Sequence, residues 1–451
     1  MLRKRVIKSI SVIFISLALF GCNDDEVSII ENQNEENPIL EIDFTITFGG
    51  SGIDDAISVV EANDGGYAVL GTTNSIDGDI TDKTSTDLDF WLIKLDASGQ
   101  MIWNRTYGGS EDERARSIFK TQDGGYVLAG QSRSSDGDVS SNAGFFDFWI
   151  VKVGSQGAIE WEKNYGFAGN DQAYDIFQTS DGGFFVSGIL DVTASGGQGN
   201  SGRNSNRHAG GDYWTLKLDA SGELIWSRYF GGSFTDTSHD AVETDNGDFI
   251  IIGFSDSEDV DITNNKGAYD FWIVRASSEG DLIWQKNFGG SEIDIPYGIT
   301  KTQDGNYMLA GDTRSADQDV TETIGNADIW TLKFNDVGDI LQQKSIGGTQ
   351  FESARSIVTL QNGNYAITST TRSNDGDVSS NNGQNDIWTV ILDQNLELIS
   401  EKNIGGSALD FGEDVIQTSD NKIIVVGNTE SSDGDITINK GQKDIIISKF
   451  N

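Results

Sequence analysis

At seven near-regular positions along the chain an aromatic residue or Ile is followed by Gly, and at six of the seven by a second Gly: Phe48, Tyr107, Tyr165, Phe230, Phe288, Ile346 and Ile404. Their spacings are 59, 58, 65, 58, 58 and 58 residues. A fixed period of this length marks a repeat architecture, in which no unit buries its apolar face alone and each must pack on a neighbour. In the second copy "RARSIFKT" alternates apolar and polar residues, "QDGGY" is a turn, and "YVLAGQS" is apolar. An acidic loop follows, then "DFWIVKV", the turn "GSQG" and "AIEWEKNYG". Each unit therefore predicts four short strands bounded by Gly and Asp turns.

The two ends of the repeat are complementary. First strands begin near Ile57, Ala115, Tyr174, Asp240, Tyr297, Ala354 and Asp414, and the last unit stops at Asn451 after its third strand. A spare strand precedes the first unit, within "PILEIDFTITFGG", residues 38–50. The expected fold is an all-β, seven-bladed β-propeller with four-stranded blades, the last closed by the N-terminal strand in a 1+3 arrangement. Closure also removes the exposed sheet edges that an open solenoid would leave. Six Trp residues follow the acidic loops and four lie on fourth strands; these are expected to be wedges between blades.

The N-terminus reads as a targeting segment. "MLRKRVIKSISVIFISLALFGC" has basic residues, a short apolar run and a Cys. It is too short to span a membrane and has the form of a lipoprotein signal, with Cys22 as the lipid-attachment residue. Cys22 is also the sole Cys, so no disulfide is possible within the chain. Residues 23–37 are acidic and lack aromatics, as a disordered tether would. The expected organisation is a signal segment (1–22), a tether (23–37) and a propeller (38–451). The expected location is the outer membrane, through the lipid alone, facing either the cell surface or the periplasm. The chain is expected to be monomeric. Its 71 acidic and 31 basic residues give a formal charge of −40. Nucleic acid is therefore excluded as a natural partner.

Three acidic positions recur. The first lies six residues after each repeat-opening aromatic or Ile: Asp54, Glu113, Asp171, Asp236, Asp294, Glu352 and Asp410. These are expected as a ring of carboxylates at the channel mouth. The second is a pair in the long loop: Asp77/Asp79, Asp136/Asp138, Asp259/Asp261, Asp317/Asp319, Asp375/Asp377 and Asp433/Asp435. The third opens the following strand, at Asp89, Asp147, Asp212, Asp270, Asp328, Asp386 and Asp444. In the six paired units, pair plus third Asp offers several of the oxygens that Ca²⁺ requires. The competing reading is that the Asp side chains accept loop N–H groups, as in Asx-turns.

The third unit breaks the symmetry. Its loop, residues 191–211, is seven residues longer, lacks the paired Asp and carries Arg203, Arg207 and His208. It is a candidate partner loop, or an insertion without consequence. His208 and His239, the two histidines, are both expected in face loops. No nucleophile–base signature or metalloprotease motif is present, so no catalytic residue is assigned.

The repeat, as in "SIFKTQDGGYVLAGQSRSSDGDVSSNAGFFDFWIVKVGSQGAIEWEKNYG", is similar to tandem repeats in secreted proteins of Bacteroidota and some archaea. The resemblance covers nearly everything from residue 39 onward and implies lipoproteins or cargo of the type IX secretion system. No type IX sorting domain follows the last strand, which fits lipid anchoring. The resemblance carries no catalytic residues with it. The expected function is a non-catalytic envelope lipoprotein binding a glycan or protein partner at the loop face, with calcium as a candidate stabiliser. The alternatives are a glycoside hydrolase or lyase using channel carboxylates, and a scaffold subunit of an envelope complex.

Overall fold

The computed structural model describes residues 40–203 and 207–451. The signal segment, Cys22 and the tether lie outside these residues. Residues 38–451 form one compact unit, built from seven four-stranded antiparallel sheets. It is an all-β propeller, and its one helix among the described residues, Val192–Ser195, has four residues. Blade 1 comprises the strands Asp54–Glu61, Tyr67–Thr73, Asp89–Leu95 and Met101–Tyr107, and blades 2–6 repeat this order. No helix among the described residues is long and apolar enough to cross a membrane.

The ring closes as the complementary ends require. The N-terminal strand Ile42–Phe48 pairs antiparallel with the C-terminal strand Asp444–Phe450, completing blade 7. The register sets Ile46 against Ile447 and Phe48 against Ile445. The first strand of each blade is innermost and neighbours its counterparts in adjacent blades.

No blade has a core of its own. Each of the seven hydrophobic clusters draws residues from two neighbouring blades, as in Leu70, Phe90 and Leu92 of blade 1 with Trp149 and Val151 of blade 2. Trp91, Trp149, Trp272, Trp330 and Trp388 are fully buried. They act as the expected wedges. Phe90 meets Trp149, Phe148 meets Trp214, Tyr213 meets Trp272 and Phe271 meets Trp330, with ring centroids 4.4–4.7 Å apart. Residues of this size remove ~150–250 Å² each from water, worth roughly 4–6 kcal/mol of transfer free energy before entropy is counted.

Candidate functional site in the central channel

The acidic motifs meet at the crossings between blades. At the crossing into blade 1, five consecutive backbone N–H groups each donate to a side chain. Gly49 donates to Asp79 (3.0 Å), Gly50 to Asp54 (2.7 Å) and Ser51 to Asp77 (2.7 Å). Gly52 donates to Ser75 (2.9 Å) and Ile53 to Asn74 (2.7 Å). The contacts to the paired Asp and the inner carboxylate recur at the crossings into blades 2, 4, 5, 6 and 7, with Thr349 in place of Ser in blade 6. The residue between the paired Asp residues takes a left-handed conformation. It is Gly in four loops, Val260 (φ 61°) in blade 4 and Gln318 (φ 56°) in blade 5. At Gly78 a Cβ would approach the Gly49 carbonyl oxygen to 2.4 Å.

The paired Asp residues, the candidate calcium ligands, have backbone N–H partners in the crossings. Asp77, Asp136, Asp259, Asp317, Asp375 and Asp433 each accept the N–H of a Ser or Thr in the crossing. Asp79, Asp138, Asp261 and Asp319 accept a Gly N–H. Asp377 does the same with Gly347 at 3.1 Å, and Asp435 with Gly405 at 3.3 Å. Both also donate back to the same glycines: the Asp377 N–H to Gly347 O at 2.9 Å and the Asp435 N–H to Gly405 O at 3.0 Å. The pair of reciprocal bonds ties each loop to its crossing. The N–H groups that these Asp side chains accept lie 26 and 30 residues away in the chain, so the bonds join loop to crossing and are not the local bonds of an Asx-turn.

The carboxylates expected at the channel mouth are placed differently. Asp54, Glu113, Asp171, Asp236, Asp294, Glu352 and Asp410 stand at the start of the innermost strands, but all are fully buried. They turn into the blades. Glu113 accepts from Ser132 at 2.7 Å and Glu352 from Thr371 at 2.7 Å. Asp410 accepts from Ser431 (2.8 Å) and from Gly406 N–H (2.8 Å). The reason is supply: each crossing presents N–H and hydroxyl donors that have no strand partner, and buried donors need acceptors.

The three Asp residues of one loop do not converge. The pair serves the crossing into its own blade, whereas the third Asp faces the crossing out of it. A Cβ built on Gly108 would lie 2.4 Å from Asp89 Oδ1 and 2.6 Å from Glu113 Oε2. Asp147, Asp270, Asp328, Asp386 and Asp444 each accept the backbone N–H four residues earlier. Among the described residues no group of three or more His, Cys, Asp or Glu is arranged to hold a metal ion. The loop carboxylates thus do not fit a calcium cage in this conformation.

Each crossing instead gathers buried carboxyl groups from two blades. Burial, followed by neighbouring carboxylates, pushes Asp89, Asp386 and Asp444 up to about 6 and Asp270 to about 7. Burial also raises Asp171 and Asp236 to about 7. Four crossings carry a basic side chain against the carboxyl groups. Lys83 holds Asp89 at 2.6 Å, Lys266 pairs with Asp319 and Lys440 with Asp79. The fourth is His208, whose Nδ1 lies 2.6 Å from Asp212 and whose Nε2 lies 3.8 Å from Asp261. His208, Lys266 and Lys440 all sit four residues before the third Asp.

Of the third-unit loop's three candidate partner residues, His208 is drawn into a crossing and the two arginines are exposed. His208 has a side chain only 6 % exposed, packed edge-on against Tyr229. Arg203 pairs with Asp281, and Arg207 is exposed at the surface. The loop also replaces a contact. In five blades the buried Trp indole donates to the residue 13 positions later, but Trp214 donates to Gly199 O at 2.9 Å.

The channel lining is a different matter. In all seven innermost strands the pairing register slips at one place, between Ala56 and Ser58 in blade 1 and at the equivalent position elsewhere. The skipped residues are Ile57, Arg116, Tyr174, His239, Tyr297, Arg355 and Glu413. A bulge of this kind re-aims side chains. Here the skipped residue and its successor both line a cavity of about 430 Å³ in the channel. His239, expected in a face loop, is in fact a strand residue in this lining.

Five lining residues form an arc. The Arg116 guanidinium lies 5.0 Å from the Tyr174 ring, and Tyr174 is 5.7 Å from His239. His239 stacks on Tyr297 at 4.9 Å and 9°, and Arg355 covers Tyr297 at 4.2 Å. His239 Nδ1–H donates to Pro296 O at 2.7 Å, which leaves Nε2 as the acceptor. Burial, and then the two Arg charges, lower its pKa to about 4, so the ring is neutral at pH 7.

Below the arc the next residues form a hydrogen-bonded floor. Ser58 and Ser356 both donate to Asp414, at 2.9 and 2.7 Å, and Ser117 donates to Asp175 at 3.0 Å. Asp240 lies in the same layer; burial, then the charge of Asp175, hold it well above the usual carboxylate range. Past this floor a second cavity, with Phe119, Phe177 and Val242 in its wall, lines the other end of the channel. Sequence reading missed the arc because a regular strand would point successive residues to opposite faces. The legible signal was that this register position holds five residue types across the seven units.

No family model matches the chain. The regulatory protein FlaEY of Caulobacter vibrioides is 23 % identical over 251 residues, covering 50 % of this chain and 26 % of that protein. The chain therefore spans about a quarter of that relative's length. A protein of unknown function from Dyadobacter fermentans aligns over 92 % of this chain and 99 % of its own, with 12 % identity and a TM-score of 0.44. The WD40 β-propeller domain of Doa1 covers 89 % and 95 %, with 15 % identity and a TM-score of 0.48. The extracellular domain of a putative hybrid two-component system of B. thetaiotaomicron matches 90 % of this chain and 43 % of its own, at 12 % identity and a TM-score of 0.43. At these identities the likenesses bear on the fold alone.

Proposed function

We propose that this chain is a non-catalytic binding module of the cell envelope, anchored through Cys22, that takes part of a glycan or protein partner into the acidic-loop end of its channel. One observation carries this reading. Seven bulges aim seven side chains into one cavity, and those side chains break a symmetry that the crossings keep. Architecture repeats, whereas recognition of an asymmetric ligand needs unlike groups. Glycan-array and pull-down screens test it, comparing the native chain with Tyr174→Ala and His239→Ala. Loss of binding in either variant, with the fold retained, supports a channel site. Unchanged binding in both moves the site elsewhere.

The envelope location rests on the sequence of residues 1–37, and labelling of Cys22 with radioactive fatty acid checks it. Calcium stiffening of the loop face is tested by melting in chelator and in calcium, since a ligand of the folded state raises stability by mass action. With the paired Asp oxygens already accepting N–H groups, the same melting temperature is expected in both.

An enzymatic reading would fall to Asp175 and Asp240, the neighbouring carboxyl groups of the channel floor. Their oxygens are committed to Ser117, Ala241 N–H and Ile299 N–H, which favours a structural role. Turnover of any polysaccharide that Asp240→Asn abolishes would reverse that preference. Co-purification of a stable envelope complex would favour the scaffold reading.

A further inference from the structure

The arc contains two arginines in a chain of charge −40. Among the described residues no carboxylate oxygen lies within the 4.0 Å ion-pair distance of either guanidinium; Glu413 and Asp312 act on Arg355, and Glu413 on Arg116, from farther away. Arg355 donates to Ser353 at 3.2 Å, and Ser353 donates in turn to Asp312 at 2.7 Å. Arg116 Nε is buried without an acceptor. Glu413, the arc's closing carboxyl group, already accepts from Asn428 at 3.0 Å. Both guanidiniums lie against tyrosine rings, which hold the fork in place; Arg355 also donates to Tyr297, so only part of its N–H edge is used. Two pre-positioned cations with unspent donors are complementary to a planar, two-oxygen anion.

The rest of the lining says what the anion is attached to. Ile57 is the one aliphatic side chain; the others are Ser, Tyr, His, Arg, Asp, Glu and a Gly. Such a wall suits hydroxyl groups and offers no pocket for an apolar side chain. His239 Nε2 is an acceptor between the two cations, placed to receive a hydroxyl proton. The cavity, about 430 Å³, falls in the range of small-ligand sites.

We propose that this chamber binds a small hydroxylated carboxylic acid, a uronate or related sugar acid, whose carboxylate is received by Arg116 and Arg355. The proposal rests on the channel-binding reading above and names its ligand class. A glycan ending in such a residue would be held by its tip, with the remainder over the acidic-loop face.

The test uses the chain from residue 23 onward, which keeps all 28 strands and all seven hydrophobic clusters. Calorimetric titration is run with glucuronate, galacturonate and glucose, and with a peptide rich in Glu, at two salt concentrations. Expected is saturable uronate binding, weakened by salt, with no glucose binding. Arg116→Gln and Arg355→Gln should each weaken it on the order of 10- to 100-fold, the scale of a lost charge-assisted hydrogen bond. Circular dichroism and melting show that the variants fold. Arg355→Lys keeps the charge but not the fork and should recover binding only in part. Uronate binding unchanged in both Gln variants overturns the proposal. Peptide binding without uronate binding also overturns it but keeps the channel reading. So does a neutral glycan lost in Tyr174→Ala yet retained in both Gln variants. No ligand sensitive to any channel substitution overturns both.

Discussion

The crossings between blades and the channel wall lie within a few residues of each other on the same seven strands, yet they follow opposite rules. At six of seven crossings the same carboxylates accept the same N–H groups, with only Asp or Glu, or Ser or Thr, exchanged. Three residues further along, the bulge positions read Ile, Arg, Tyr, His, Tyr, Arg and Glu. The crossings face a problem that is identical in every blade: an irregular segment must be buried with its backbone donors satisfied. Positions in the lumen touch no such donor and are free to differ. Sameness here marks support, and difference marks the surface available for recognition.

The largest expected effect is collective and lies at the crossings. Asp89, Asp171, Asp212, Asp236, Asp270, Asp386 and Asp444 all have pKa values raised to about 6 or 7, chiefly by burial. A carboxyl group with a raised folded-state pKa binds its proton more tightly folded than unfolded. Its stabilising contribution is complete below the unfolded value near ~4 and is lost as pH rises through 6–7. The melting temperature should therefore rise by several degrees from pH 8 to pH 5.5, and Asp386→Asn should flatten the profile. A melting temperature that falls over this interval would break the account of the crossings.

Next comes the interface beneath the crossings. Trp272→Ala removes a fully buried wedge and should cost about 3–5 kcal/mol in denaturant unfolding. Asp410→Ala leaves Gly406 N–H and the Ser431 and Thr429 hydroxyls without their acceptor, and about 1–3 kcal/mol is expected. Val260→Gly sharpens the loop geometry from the other direction. A β-branched residue at φ 61° is strained, so glycine should raise stability by about 1 kcal/mol. Arg116→Gln should be the smallest, below about 1 kcal/mol, because no ion-paired carboxylate is left behind. If Arg116→Gln instead destabilised as much as Asp410→Ala, the division between support and recognition would fail.

The blades were legible because the period, the Asp-Gly turns and the alternating runs all express local requirements that recur every 58 residues. The acidic motifs were visible too, but their destinations were not. Asp77 and Asp79 look like companions of Asp89, ten residues on, yet they close different crossings, and Asp89 meets Glu113 of the next blade. Asp377 and Asp435 share a loop motif with Asp386 and Asp444 respectively, yet each accepts a Gly N–H of the crossing into its own blade. His208 looked like the tip of a loose loop, but it is buried against Asp212, at the position that Lys266 holds one blade later.

What the sequence alone determined is the ring: seven units, four strands each, and a first strand cut to complete the last blade. These follow from chain-local periodicity and from the need to leave no unpaired edge. What only the tertiary structure decided is the site. Whether residue 116 or residue 355 faces the lumen depends on one residue slipping out of register in each inner strand. That slip is set by packing around a closed ring, and alternation along a single strand carries no trace of it. Closure then brings Arg116 and Arg355, 239 residues apart in the chain, into one cavity with His239 between them.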